Sequence, residues 1–568
     1  MSEKTYEAKR KYSLFDSLSV RGAGTSIRVI KNIVSKTFGA LSEKFVFTSA
    51  RSYGAMGLAY GLLSLFLYFG ENYFLEIAAP DLTSLIIGIA VSAVSALLLF
   101  FDKPICTFFS DFFLTDFIFF EFFSIKRMDK ADAVPGFSVV PAVLMGFIPA
   151  IAGLFFSPLY VLVFLMLLVF VSIAIVTPEF PIIVALLVAP YLSPIPDTGV
   201  ILASLSLLSF ISFAFKVVMG KRSYHFEVYD ALFLLLAAFF LIGGFLNNDV
   251  TNSLVMIALT LAYVPVSNII VNRRLADRAV NALIVSSVPI SIFSLTDYIV
   301  SLFGDKVFAA KAVFVNTDAY SAFLLLALAF SLCFANEKKN HFKKATYFAI
   351  SALHLVNIIF AWNVGLCLAT AISALAYLVI RTKNQRKELL LLLIALPYLL
   401  FLLPESFFEK LSEVLALNPP LNVMIESFKS CFDVLSGNAF FGVGFGTETP
   451  AANMALSIAM NFGVIVLSLF AMIFILRLVQ LSEYGLYMRS SLLSLISQAG
   501  ALAIFGLFSL GMTADVFSDI TIYFLFISIF GILSASLRIS KTEHLERLSY
   551  YGDQRSADSS DINVRISS

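Results

Sequence analysis

Long apolar runs dominate this chain, and its polar residues gather in short clusters between them. Each run is close to the ~20 residues that a helix needs to cross a hydrocarbon core. The runs are continuous rather than alternating, which argues against a membrane β-barrel. Inside lipid the backbone must satisfy its own polar groups, so each run predicts a helix. The runs lie near 53–72, 82–101, 138–156, 159–177, 179–193, 199–216, 231–247, 252–271, 279–296, 319–336, 345–362, 363–380, 388–403, 451–476, 491–511 and 519–537. The expected fold is an all-α polytopic membrane protein with about 16 (range about 12–16) transmembrane helices and one larger, partly helical external loop.

Charge orders these runs. Hydrophobic residues make up 59% of the 568 and charged residues 14%, which excludes a soluble domain; the formal net charge of +1 hides a strong segregation. With sixteen crossings, 35 of the 39 Lys and Arg fall on the side that holds both termini. Only Lys306, Lys311, Lys410 and Lys429 fall on the other. The positive-inside rule then places both termini in the cytoplasm. Residues 104–123 are apolar enough to span but carry Asp111, Asp116 and Glu121. Each would be costly in hydrocarbon, so the segment is expected to lie at the cytoplasmic interface. Ile27, Ile30, Val34, Phe38, Leu41 and Phe45 share a helical face opposite Arg28, Lys31 and Lys36, the form of a basic helix lying on anionic lipid or on the helix ends. Residues 1–52 form a basic cytoplasmic region, and 541–568 are polar enough to predict a disordered tail. The four cysteines are scattered with no CxxC or metal spacing, so neither a metal nor a cofactor is expected.

Chemistry is expected in two external stretches, 294–318 and 404–450. The first holds Lys306, Lys311 and Asp318. In the second, Asn418 and Pro419 suit a helix start. Leu421, Met424, Ile425, Phe428, Phe432 and Leu435 then recur at helical spacing, with Glu426, Lys429 and Asp433 on the opposite face. Ser436, Gly437 and Asn438 end that helix, and Gly442, Gly444 and Gly446 follow. Glycines so spaced permit positive φ and close backbone approach, either to a ligand or to the next membrane helix. No βαβ unit precedes them, so they are no dinucleotide fingerprint.

The stretch Ala439 to Gly446, AFFGVGFG, resembles a motif of the bacterial O-antigen ligase and polymerase family, which there follows an amphipathic external helix. Asn453 matches the family's following Asn, and Gly463 the Gly of its Glu-x-Gly, with Asn461 in the Glu position. Phe314 to Asp318 is similar to its Phe-x-Asn-Pro-Asn, and Ala361 to Gly365 takes the place of its Thr-x-Ser-Arg-Gly. These marks agree in order over roughly 310–480, and the resemblance extends a ligase-like domain over 178–540, after N-terminal helices at 53–177. Ala452 stands where the family has an external His, Val364 where it has Arg, and no Arg opens the amphipathic helix at 422–424.

The resemblance implies a bacterial plasma-membrane protein of cell-surface polysaccharide assembly that acts on polyprenyl-pyrophosphate-linked glycan at the external face. Membrane lipids and other assembly proteins are the further expected partners, and nucleic acid is not one. Glycan transfer needs a base for the acceptor hydroxyl and cations for the departing pyrophosphate. Glu448 and Asp318 are the candidate bases. Lys429, Lys306, Lys311, Gly442, Gly444, Gly446 and Asn453 are the candidate substrate contacts. A non-catalytic glycan-binding or scaffold role and, further off, a transporter or flippase stay open beside it. His225, His341 and His544 fall on the cytoplasmic side, and His354 inside a span is expected to be packed or hydrogen-bonded.

Overall fold

The computed structural model describes residues 48–70, 82–111, 115–123, 137–152, 158–218, 222–303, 310–335, 341–361, 363–381, 431, 433–444, 453–484 and 491–566. In chain order the helices are α1 (Ala50–Gly70), α2 (Leu82–Leu98), α3 (Ile105–Asp111), a π-helical segment (Asp116–Phe122), α4 (Val139–Ala152), α5 (Pro158–Val176), α6 (Glu179–Leu192), α7 (Thr198–Val218), α8 (Val228–Leu246), α9 (Val250–Leu261), α10 (Tyr263–Ile269), α11 (Arg273–Phe303), α12 (Thr317–Phe334), α13 (His341–Phe360), α14 (Val364–Arg381), α15 (Met454–Tyr484), α16 (Ser491–Gly511) and α17 (Ile520–Ile566). Among the described residues there is no strand, only a lone bridge between Ser49 and Pro104.

A helix lies over every predicted apolar run except 388–403, which is outside the described residues, as is the N-terminal helix expected at 27–45. Among the described residues, 9 helices are long and apolar enough to cross a membrane. Leu85–Leu98, Val139–Ala152, Tyr160–Ile175, Glu179–Leu192 and Gly365–Ala376 are apolar but shorter. The protein is an all-α membrane protein.

The chain divides into two units, Met1–Phe180 with Ser212–Tyr224, and Pro181–Ile211 with His225–Ser568. In the first unit α1 packs on α2 and α4 through small residues. A Cβ on Gly54 would lie 2.7 Å from the Ser95 carbonyl oxygen, and one on Gly61 3.0 Å from that of Gly88. Lipid gives apolar helices no reason to avoid it, so such close backbone packing is what holds them together. The acidic Phe-rich stretch, expected at the interface, forms two short helical segments among the described residues: α3 and the π-helical segment are 7 residues each, neither long enough to span alone. Asp111 pairs with Lys103 in an exposed position, and the rings of Phe109 and Phe119 meet at 5.1 Å.

In the second unit α12 is enclosed, with 15 of its 18 residues buried. Asn316 starts it, its side chain accepting from the Ala319 N–H at 2.7 Å. α16 packs on α12 and α14, while α10 packs on α17. α13 has the reverse polarity of a water-soluble helix. Its buried residues are Ser351, His354, Asn357 and Ile358, whereas Phe342, Phe348 and Ile359 are 81%, 67% and 62% exposed. A helix that turns polar groups inward and aromatics outward suits a hydrocarbon surround. α17 continues past Lys541, where a disordered tail was expected, to Ile566. The extension is secured at its start by Glu543, which accepts two bonds from Arg273 at 2.5 Å each.

Candidate functional site

The glycine motif is built into a break in α15. Gly463 has φ 88 and ψ 168, outside helical space, so the helix turns there. In an unbroken helix the Met460 carbonyl would accept from the Val464 N–H. Instead it accepts from the Val443 N–H at 2.8 Å, and the Val464 N–H donates to the Ala439 carbonyl at 2.9 Å. The Gly444 N–H donates to the Asn461 carbonyl at 3.1 Å, and the Gly442 N–H closes the preceding turn on Asn438 at 2.9 Å. The loop therefore replaces the bonds that the break removes.

Each glycine is needed for this fit. Gly442 and Gly444 have φ of 67 and 94. A Cβ on Gly442 would lie 2.5 Å from the Asn461 carbonyl carbon, and one on Gly463 2.7 Å from the Phe441 nitrogen. Of the two alternatives for these glycines, close approach to the next helix is the one described. The same loop follows the last turn of α8, where a Cβ on Gly444 would meet the Cβ of Asn247 at 3.1 Å. Cys431 is buried, and that burial raises its thiol pKa.

Four helices of the second unit begin around the segment 512–519. Asn363 heads α14, accepting from the Leu366 N–H at 3.0 Å. Asn453 heads α15, accepting from the Leu456 N–H at 2.9 Å, and the Met454 N–H donates to the Ala514 carbonyl at 3.1 Å. Asp519 heads α17, accepting from the Thr521 N–H at 2.7 Å and from the Ser193 hydroxyl at 2.6 Å. Ser193 also accepts from the Val315 N–H at 3.2 Å, next to the Asn316 cap of α12. A Cβ-to-Thr513 contact limits Gly365 on the same side. Helix starts carry partial positive charge; here Asn316, Asn363, Asn453 and Asp519 accept from their N–H groups, and Asp318 and Asp519 place carboxylates beside that charge.

No family model and no curated protein matches this chain.

Among the candidate residues, Asp318 is half-buried in the first turn of α12, and Lys311 is exposed in the preceding turn, where Ala312 has φ 46. Gly442 and Gly444 are buried together with the α15 break, and Asn453 is buried with its oxygen engaged as a cap. Glu448, Lys429, Lys306 and Gly446 lie outside the described residues. Among the described residues no His, Cys, Asp and Glu cluster suits a metal. The sequence reading missed Asp519 and Ser193 as members of this end. The available signal was TADVFSD between the last two apolar runs, the polar stretch that becomes the 512–519 segment.

Two further polar groups are buried in the second unit. His354 lies between Ser287, 3.0 Å from its Nε2, and Ser291, 2.9 Å from its Nδ1. Ser287 donates its proton to the Ile284 carbonyl at 2.7 Å, so it accepts from Nε2–H and Ser291 donates to Nδ1. Asn357 donates to the Ser291 carbonyl at 3.1 Å and accepts from the Tyr320 hydroxyl at 3.2 Å. This network joins α11, α12 and α13 and leaves His354 satisfied. Arg477, which charge segregation places beyond the end of its span, is instead fully buried within α15. Its guanidinium lies 3.7 Å from the centre of the Tyr229 ring, donates to Gln480 Oε1 at 2.9 Å and donates to Ser534.

Proposed function

We propose that this chain is a plasma-membrane protein of bacterial cell-surface polysaccharide assembly that handles polyprenyl-pyrophosphate-linked glycan at the external face. On this reading both termini are cytoplasmic and the chain crosses about 16 times. The observation that carries it is the meeting of the glycine loop with the α15 break, because two separate marks of the ligase-like motif come together there: the Gly444 N–H donates to the Asn461 carbonyl, and Gly442 and Gly463 each lie against the backbone of the other segment. The starts of α12, α14, α15 and α17 carry partial positive charge. Partial positive charge at those starts offsets anionic oxygens where the family's arginines are absent. Lys311, and with it Lys306 and Lys429, adds point charges without a bidentate fork. Asp318 or Glu448 takes the acceptor hydroxyl proton as that oxygen attacks the anomeric carbon and the polyprenyl pyrophosphate leaves.

The test is transfer by purified protein from lipid-linked glycan to an acceptor. Turnover in the parent, reduced at least tenfold in Asp318→Asn or Glu448→Gln, supports the catalytic reading. No turnover, with surface glycan unchanged by Lys429→Ala and Glu448→Ala, sinks it. Ala452 and Val364 favour a second reading, a non-catalytic glycan-binding scaffold. Co-purification with a glycosyltransferase, without turnover of its own, supports that version.

A further inference from the structure

α11 and α13 run parallel and in register. Asn281, Ser287 and Tyr298 of α11 meet Tyr347, His354 and Phe360 of α13 in turn, the first pair through the Tyr347 hydroxyl donating to Asn281 at 2.7 Å and the last through stacked rings 4.2 Å apart. On α11, Arg274, Arg278, Asn281, Val285 and Ile292 recur at helical spacing and form one stripe. The Asn281 bond sets that stripe along the edge of α13. On α13, Lys343 and Ile350 lie one turn to either side of Tyr347 and share its face. Val285 and Ile292 are 49% and 51% exposed in a helix long and apolar enough to cross a membrane, so this part of the seam faces hydrocarbon. At its other end three cations gather. Lys343 is one turn before Tyr347, and Arg278 and Arg274 are one and two turns before Asn281, so all three lie just beyond that bond. Arg274 and Lys343 are exposed and Arg278 partly so. Asp277 is the one carboxylate within the first two turns of either helix, and Arg273 is taken by Glu543, so the cations are in excess.

We propose that the seam between α11 and α13 binds an anionic phospholipid, its phosphate held by Arg274, Arg278 and Lys343 and an acyl chain lying along Val285 and Ile292. A phosphodiester accepts the forked N–H groups of arginine and the point charge of lysine. Basic side chains where headgroup meets hydrocarbon attract anionic lipid. The apolar stripe touches lipid in any case, and the cations at its end select which headgroup sits there. The site requires neither the glycine loop nor glycan transfer.

The experiment is fluorescence quenching by brominated lipids, with the full chain in vesicles of mixed phosphatidylglycerol and phosphatidylcholine. The sole tryptophan is removed as Trp362→Phe, and a reporter is introduced as Val285→Trp. Brominated phosphatidylglycerol should reach the reporter with a preference of at least about fivefold over brominated phosphatidylcholine. The triple variant Arg274→Gln, Arg278→Gln, Lys343→Gln should abolish that preference. Arg274→Lys with Arg278→Lys should keep it, which separates lost charge from lost fold. A reporter at Ile359→Trp, exposed at the far end of α13, should show none. Equal quenching by the two lipids at Val285→Trp, a preference that survives the triple variant, or the same preference at Ile359→Trp overturns the proposal.

Discussion

Replacing Gly463 with Ala tests whether the glycine loop depends on the broken helix. At φ 88 and ψ 168 the backbone is in a region that is essentially restricted to glycine, and holding another residue there costs about 1–3 kcal/mol. The added Cβ would also lie 2.7 Å from the Phe441 nitrogen, so the loop must shift. The alternative is for α15 to close, which returns the Val464 N–H to Met460 and gains about 1 kcal/mol of helix propensity. Closure breaks three bonds between the segments, at 2.8, 2.9 and 3.1 Å, which together contribute about 1.5–4.5 kcal/mol. Both routes loosen the loop by about 1–3 kcal/mol, roughly 5- to 150-fold in amide opening. Hydrogen exchange read by mass spectrometry on peptides covering 439–444 should accelerate by that factor in Gly463→Ala, while α12 peptides stay protected. Unchanged exchange across 439–444 would refute the coupling.

Three further outcomes follow from groups already located. His354→Leu should lower thermal stability by about 1–3 kcal/mol, because Ser291 loses the acceptor of its proton and Ser287 its donor; a double-mutant cycle with Ser291→Ala should show coupling, and additivity would refute the network. Arg477→Lys should be less stable than Arg477→Met, since Lys keeps a buried charge while losing the fork to Gln480 and Ser534, whereas Met removes the charge at similar volume; the opposite order of melting temperatures contradicts this. Partial burial and, second, the Arg538 charge lower the His225 pKa, so the fold favours its neutral form. That contribution to stability is present above the ordinary histidine range near 6.5 and is lost as pH falls through the lowered value. The stability of His225→Gln should therefore fall less steeply on acidification below about pH 6.5.

The helices were legible because apolar runs in a membrane protein leave few alternatives. Asp111, Asp116 and Glu121 likewise marked a stretch that forms only short helical segments among the described residues. What escaped depends on single residues that hydropathy cannot weigh. Gly463 looks like any glycine in an apolar run, and only the partners of Val443 and Val464 reveal that the helix breaks there. Arg477 lies one residue past the apolar run 451–476, and hydropathy gives no sign that it is buried. Tyr229 and Ser534, which help enclose it, come from parts of the chain that sequence order does not join to α15, while Gln480 lies one turn along the same helix. The resemblance drew attention to the glycine loop, but periodicity could not show that its backbone completes another helix.

The reversed polarity of α13 also bears on the order in which the protein is made. When α13 leaves the translocation machinery, His354 and Asn357 would face lipid unless their partners were already in place, whereas Ser351 bonds the Tyr347 carbonyl of its own helix. Those partners, Ser287, Ser291 and Tyr320, belong to α11 and α12, which are synthesised first. The chain thus presents a waiting polar groove before the helix that fills it emerges. A circular permutant that starts at α13 would reverse that sequence of events and leave His354 and Asn357 in hydrocarbon without those partners during insertion.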